Sequence, residues 1–310
     1  MKAGESPGRV PVREAIKWGA FRLREAGIGE DGAAREAAVL LSHCTGSSVA
    51  DLYATADDIP AAALACYRAA IERRRAREPL QYITGVQEFM SLEFKVNRSV
   101  LIPRPETEIL VETVVEFLRG RRDEGHAERL PRFADAGTGS GAIAISVARY
   151  AGCGGYGLDA SGEALDVARL NARLQRVDDR LVFLEGDLLE TLAGRVEAAG
   201  LDCVVSNPPY ITSDEYERLQ PEVKEFEPRI ALLCDDIPGF YRRLARQAAC
   251  FLRPGGLLAV EVGYGQAGSV ARVFAVDGLY GAVRCMKDLR GIERVICCHL
   301  ERNLDWSSVE

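Results

Sequence analysis

The sequence predicts an α/β fold: a doubly wound, mainly parallel sheet preceded by a small all-helical domain, with a β-hairpin joining them. Three observations predict it. Apolar spacing is helical from Val12 to Gly85, alternates over Glu88–Val96, and beyond Arg132 turns into strand-like runs separated by helical segments. At 310 residues the chain exceeds one average domain. We divide it into a helical domain at 1–85, a hairpin and linker at 86–108, and a sheet domain at 109–310.

Residues 1–9 read as a loose terminus. Val12–Ala26 is a helix stopped by Gly27. Asp31 is placed to cap a second helix reaching Cys44, with Ala34, Ala37, Ala38 and Leu41 on one face. Pro60 opens a third long helix through Leu64, Tyr67 and Ile71 into the basic run Arg73–Arg77. A packing module and a protein-docking surface both fit this region. Glu88–Val96 reads as a strand pair. The prolines of Leu101–Glu108 (LIPRPETE) force an extended entry, after which Glu106 begins a helix with Ile109–Leu118 as its apolar face. Residues 119–131 are charged and read as a loop.

The strand candidates that follow are Phe133–Ala136, Gly155–Leu158, Val182–Glu185, Asp202–Ser206, Leu257–Val262, Val283–Met286 and Arg294–Leu300, seven in all. Helices fit at Ala142–Arg149, Gly162–Leu174, Phe240–Phe251 and Gln266–Val276. In such a sheet a ligand sits at the carboxyl ends of the strands, near the switch in strand order.

Composition narrows the partners. Apolar residues are 47% and charged residues 27%, an ordinary globular balance. A net charge of -7 speaks against direct nucleic-acid binding, which needs a basic face. The nine cysteines include no C-x-x-C pair, and we read them as reduced thiols of a cytosolic protein. His43, His126 and His299 are scattered without ligand clusters, so no metal site is expected. No apolar run has membrane-spanning length and no signal core opens the chain, which places it in the cytoplasm.

Asp135-Ala136-Gly137-Thr138-Gly139-Ser140-Gly141 follows a strand and opens a helix. Glycines serve there because the backbone turns tightly and lets a ligand come close. The motif is G-x-G-x-G, not the G-x-G-x-x-G that brings a pyrophosphate to a helix N-terminus. Asp159 ends the next strand and suits both ribose hydroxyls. Asp187, followed by Leu188, ends the third and suits an adenine amino group. A glycine turn or a helix-capping Asp alone would be structural. Three such features on consecutive strand ends favour an adenosine-type ligand, S-adenosylmethionine over NAD.

Asn207-Pro208-Pro209-Tyr210 follows the fourth strand. An amide or aromatic amine nitrogen is a poor nucleophile, because its lone pair is delocalised. Carbonyl oxygens held in place stabilise the positive charge that develops on it. The Asn207 side chain and the Pro208 backbone carbonyl supply such oxygens; proline stiffens the loop, and Tyr210 stacks on a flat group. A merely rigid turn is the alternative.

With Pro79–Gly85 (PLQYITG), Glu88-Phe89, LIPRPETE and Asn207-Pro208-Pro209-Tyr210-Ile211, the sequence resembles the HemK-type glutamine methyltransferases of peptide chain release factors, over nearly its whole length. The resemblance implies a Rossmann-like methyltransferase sheet. It also implies S-adenosylmethionine held by Gly137, Thr138, Gly139, Ser140, Gly141 and Asp159, with Asp187 and Leu188 beside its adenine and Asn207 facing cofactor and substrate. Asn207, Pro208 and Tyr210 would be catalytic and, with Pro209, grip the glutamine of a Gly-Gly-Gln loop in class 1 release factors, while the helical domain contacts that partner. Arg104, Glu106 and Thr107 would line or close the pocket. Read without the family, Thr107 or Glu106 caps a helix and Arg104 pairs with Glu106 or Glu108.

The sequence departs from the family pattern at Leu188, where an aromatic residue is usual, and over Cys234–Phe240, where a glycine-rich run is usual. The rival readings are a glutamine methyltransferase for a ribosomal protein, an adenine or cytosine methyltransferase on nucleic acid, and a non-catalytic cofactor-binding scaffold. An intact glycine loop and Asn207 speak against the last.

Overall fold

Every residue of Leu201–Ser206 is buried, as a strand covered on both faces requires. Alternate side chains of this strand enter two different cores, Val204 one and Cys203 and Val205 the other. The computed structural model describes residues 10–54, 58–123 and 130–306. The terminus at 1–9 and His126 lie outside them. The chain separates into two compact units, one of residues up to Gly85 together with Gln220–Phe226, the other of Val86–Leu219 and the residues from Glu227 onward.

The first unit is helical: α1 (Val12–Glu25), α2 (Glu30–Thr45), α3 (Val49–Ala54), α4 (Ala61–Arg75) and α5 (Leu80–Thr84). Tyr67, Ile71, Leu23, Leu40 and Leu41 fill its core. The short α3 and α5 were not expected. The α2 cap is Gly29, with no side-chain bond, and Asp31 falls inside the helix. The segment Gln220–Phe226 joins this unit through Glu222, which takes Arg74 at 3.0 Å and Arg77 at 2.7 Å. Cys44 and Cys66 form a disulfide between α2 and α4, their Cα atoms 5.7 Å apart. This corrects the expectation of reduced thiols throughout. The 22-residue separation carries no local signature, and only helix packing brings the pair together.

The second unit opens with the hairpin β1 (Val86–Phe89) and β2 (Leu92–Lys95). Its turn residues Met90 and Ser91 have φ 52° and 57°, the left-handed pair a two-residue hairpin needs, without glycine. A 3-10 turn at Pro105–Thr107 precedes α6 (Glu108–Asp123), which runs into the stretch expected as loop. Then come β3 (Arg132–Ala136), α7 (Ala142–Ala151), β4 (Gly154–Asp159), α8 (Gly162–Leu174), β5 (Leu181–Glu185), β6 (Leu201–Ser206), the short α9 (Ser213–Tyr216) and the α10 segment (Pro221–Phe226) that belongs to the helical unit. The chain finishes with α11 (Ile237–Phe251), β7 (Leu252–Glu261), α12 (Ala267–Val276), β8 (Arg284–Lys287) and β9 (Glu293–His299).

The seven strands lie in the order β5-β4-β3-β6-β7-β9-β8. The first five in that order are parallel, and β9 runs antiparallel to both neighbours. The chain winds outward from β3 to β5, then returns to set β6 on the other side of β3. That reversal opens a crevice at the carboxyl ends of β3 and β6, which end at Ala136 and Ser206.

Candidate active site

The two strand ends at the crevice are stitched together: Ser206 donates its hydroxyl to the Ala136 carbonyl at 2.7 Å. The chain then leaves β3 through Gly137, Gly139 and Gly141, with φ 74°, 53° and 80°. Gly137 and Thr138 both donate their N–H to the Leu158 carbonyl at 2.8 Å, folding the loop back over β4. Gly141 is where α7 begins, and a Cβ there would press on Ile145 and Ala168. Asp135 lies fully buried beneath the loop, accepting from the Thr138 hydroxyl at 2.7 Å and the Ala144 N–H at 3.1 Å.

Asp159 accepts from the Gly139 N–H at 2.8 Å and the Ser161 N–H at 2.9 Å. Burial raises its carboxyl above the usual range, and these N–H groups oppose the rise. A cavity of about 280 Å³ is bordered by the predicted residues Gly137, Gly139, Asp159, Asp187, Leu188, Asn207 and Pro209. Thr138, Ser140, Gly141, Pro208 and Tyr210 are not among the residues that border it. Thr138 and Ser140 are buried, the Ser140 carbonyl accepting from Asn171 at 2.9 Å.

Sequence reasoning missed other lining residues, among them Val100, Leu101, Ile230, Cys234 and Phe240; Phe240 is the single aromatic ring in the lining. Asp187 is held by both guanidinium nitrogens of Arg243, at 2.9 and 3.1 Å, and Arg243 lies over Phe240 at 5.9 Å. Leu188 is buried with φ 49°, a strained conformation for a side chain of its kind, beside the cavity.

Asn207 donates its side-chain N–H to the Thr107 hydroxyl at 3.2 Å, and Thr107 donates to Glu261 at 2.6 Å. Tyr210 donates to the other Glu261 oxygen at 3.1 Å, and its carbonyl accepts from Gln266 at 2.8 Å. The family pattern led us to expect Arg104, Glu106 and Thr107 at the pocket wall, but none of them borders the cavity. Thr107 stands behind Asn207. Arg104 pairs at 2.6 Å with Glu227, not with Glu106 or Glu108, and Glu108 is taken by the Met90 N–H at 2.6 Å. Glu261, which joins Thr107 and Tyr210, was not anticipated among the site residues. Its signal was an acidic residue closing an apolar strand, which a core tolerates only when bonded.

Residues 14–85 match the PrmC N-terminal domain and residues 115–221 the methyltransferase small domain. The release factor glutamine methyltransferase of Geobacter sulfurreducens is 39% identical over 94% of this chain and 98% of its own length. The release factor glutamine methyltransferase of Thermodesulfovibrio yellowstonii is 36% identical over 87% of this chain and 94% of its own. The chain belongs to the release factor glutamine methyltransferase family. A solved structure, the hMettl16 catalytic domain in complex with an RNA hairpin, superposes with a TM-score of 0.54 at 15% identity, covering 71% of this chain and 80% of that one, and shares the fold alone.

S-adenosylmethionine is the cofactor of this methyltransferase. The cavity's floor fits such a ligand: nothing lies within 4 Å of where a Cβ would stand on Gly137 or Gly139. Both glycines border the cavity, so a side chain on either would fill the space left for the cofactor. Among the described residues, no helix is long and apolar enough to cross a membrane.

Asp135 gives the methyltransferase a pH signature. Burial raises its carboxyl from an ordinary 3.8 to about 7, against the opposing bonds from Thr138 and Ala144. The folded state therefore holds this proton more tightly than the unfolded chain does. That contribution to stability is complete below pH 3.8 and is lost as pH rises through about 7. Asp135→Asn is expected to flatten the decline in urea midpoint over this window. A decline as steep as that of the parent protein would show that Asp135 does not carry it.

Proposed function

We propose that this methyltransferase transfers a methyl group to the side-chain amide nitrogen of the glutamine in the Gly-Gly-Gln loop of class 1 peptide chain release factors. The products are N(5)-methylglutamine and S-adenosylhomocysteine. The relatives named for release factor glutamine methylation support the substrate. The observation that carries the reading is Asn207 at the end of β6, bordering the same cavity as Gly137 and Gly139 with its N–H turned away to Thr107.

When bound, S-adenosylmethionine supplies a methyl carried by a positively charged sulfur. Gly137, Gly139 and Asp159 would hold it, Asp159 through its ribose, and Asp187, Leu188 and Phe240 would flank its adenine. Thr138, Ser140 and Gly141 act indirectly, by shaping the loop. The Asn207 side-chain oxygen and the Pro208 carbonyl accept the two amide hydrogens of the substrate. Those bonds would orient the nitrogen and offset the positive charge it gains. Pro209, which borders the cavity, would grip the flat carboxamide, and Tyr210 would support the loop through Glu261 and Gln266. The methylated nitrogen releases one proton to water, because an N-protonated amide is strongly acidic, and no side-chain base is needed. Residues 1–85 dock the release factor, and the enzyme works in the cytoplasm, where its partner acts.

A glutamine of a ribosomal protein or an adenine or cytosine of nucleic acid would suit the same acceptor geometry. Radiolabelled cofactor offered in parallel to release factor, ribosomal protein and DNA separates them. Label is expected on release factor alone and should vanish when the Gly-Gly-Gln glutamine is changed to alanine. Label that survives this change would overturn the proposed acceptor.

A further inference from the structure

Glu261 closes β7 with 1% of its surface exposed, and each of its carboxylate oxygens takes one hydroxyl, Thr107 at 2.6 Å and Tyr210 at 3.1 Å. Both hydroxyls belong to the surroundings of the Asn-Pro-Pro-Tyr loop. Tyr210 ends that loop, and Thr107 holds Asn207, which begins it. Thr107 is itself buried, 4% exposed. The backbone carbonyl of Glu261 accepts the Tyr241 hydroxyl at 2.7 Å, which fixes the strand end against α11.

The donor inventory of these groups gives the contacts a direction. Burial raises the Glu261 carboxyl above its ordinary range, and the Thr107 and Tyr210 hydroxyls oppose the rise by donating to it. As a carboxylate Glu261 only accepts, so the Thr107 hydroxyl spends its one hydrogen on it. Its oxygen then has only acceptor capacity toward Asn207. An asparagine amide offers either a donor or an acceptor end, and only the donor end satisfies Thr107. The chain of bonds therefore settles which way the Asn207 amide faces, independently of how an N and an O would be told apart. Its N–H points back to Thr107, and its carbonyl oxygen remains for the cavity that Asn207 borders.

We propose that Glu261 and Thr107 are positioning residues that set the orientation of the Asn207 amide, so that its oxygen and not its nitrogen meets the substrate N–H. The assignment rests on the acceptor role given to Asn207 above. Without the relay the amide flips between its two ends, and the flipped form presents a donor to a donor. Glu261 does not border the cavity; it acts through Thr107 on one end of the loop and through Tyr210 on the other.

Thr107→Val keeps the shape of the side chain and removes the hydroxyl. It is expected to lower kcat about 10- to 100-fold, as misplacement of a reacting group does, while the dissociation constant for S-adenosylhomocysteine stays within about twofold. Thr107→Ser restores the hydroxyl and should recover kcat to within about threefold of the parent protein. Were packing the whole role, the isosteric valine variant would turn over normally and the serine variant, which lacks the methyl, would be the impaired one, and that result would overturn the relay. So would a valine variant that turns over normally, or one that loses cofactor affinity in proportion to rate. Asn207→Ala, assayed alongside, separates the two readings. An inactive alanine variant beside a fully active Thr107→Val sinks the relay and leaves the acceptor role standing. An active alanine variant sinks the acceptor role itself.

Discussion

Asn207→Ala is expected to lower kcat about 10²- to 10³-fold while S-adenosylhomocysteine binds with less than about threefold loss. The size follows from what the side chain would do. The substrate amide nitrogen is nearly neutral in the ground state and gains positive charge only as the methyl arrives. An oxygen fixed beside it is therefore worth most in the transition state, and such an interaction appears in kcat. The cofactor's own supports lie elsewhere: Gly137 and Gly139 at the end of β3 and Asp159 at the end of β4 border the cavity without passing through Asn207. Truncation should also leave the fold in place. Asn207 is half-buried, and the Thr107 hydroxyl it releases still donates to Glu261. Isothermal titration with S-adenosylhomocysteine and single-turnover methylation of release factor give the two numbers. A kcat near that of the parent protein would remove Asn207 from the chemistry. A parallel collapse of cofactor affinity would recast it as a binding residue.

The sheet was legible because burial on both faces imposes a local code. Strands such as β6 must be apolar throughout, the helices between them must carry one apolar stripe, and the turn beyond β3 must be glycine-rich. Local rules likewise placed Asn207 just beyond β6 and Asp159 at the end of β4. What escaped was chosen by proximity in space. Thr107 and Glu261 are 154 positions apart, Arg104 and Glu227 123, and Asp187 and Arg243 56. Nothing local marks such partners, so the family motif around Thr107 was legible but its purpose was not. Arg104, expected from the family pattern at the pocket wall and otherwise read as pairing within its own turn, instead reaches Glu227, buried at 5% exposure, because a buried carboxylate demands a cation more than a surface one does. The hairpin turn escaped for another reason. Met90 and Ser91 hold left-handed backbone without the glycine or asparagine that usually signals it.

Gly139→Val should raise the dissociation constant for S-adenosylmethionine at least about 10²-fold, more than any side-chain truncation in the cavity. Two effects act together. Gly139 sits at φ 53°, where an L-residue is strained by about 1–2 kcal/mol and a β-branched one by more. Its missing Cβ also faces open space in the cavity, with nothing within 4 Å, so the valine side chain would stand where the ligand does. If the loop instead relaxes to relieve the strain, the Gly139 N–H leaves Asp159, and the carboxylate proposed to hold the ribose loses one of its anchors. Asp159→Ala provides the calibration. Removing one charged acceptor costs about 1.5–3 kcal/mol, or about 10- to 100-fold in affinity, and leaves room for the ligand. The alanine variant should therefore turn over once the cofactor is raised to saturation, whereas the valine variant should not. Equal recovery of both variants at high cofactor would mean that the glycine loop does not border the bound ligand. An unchanged dissociation constant for Asp159→Ala would deny the ribose contact while leaving the loop's role intact.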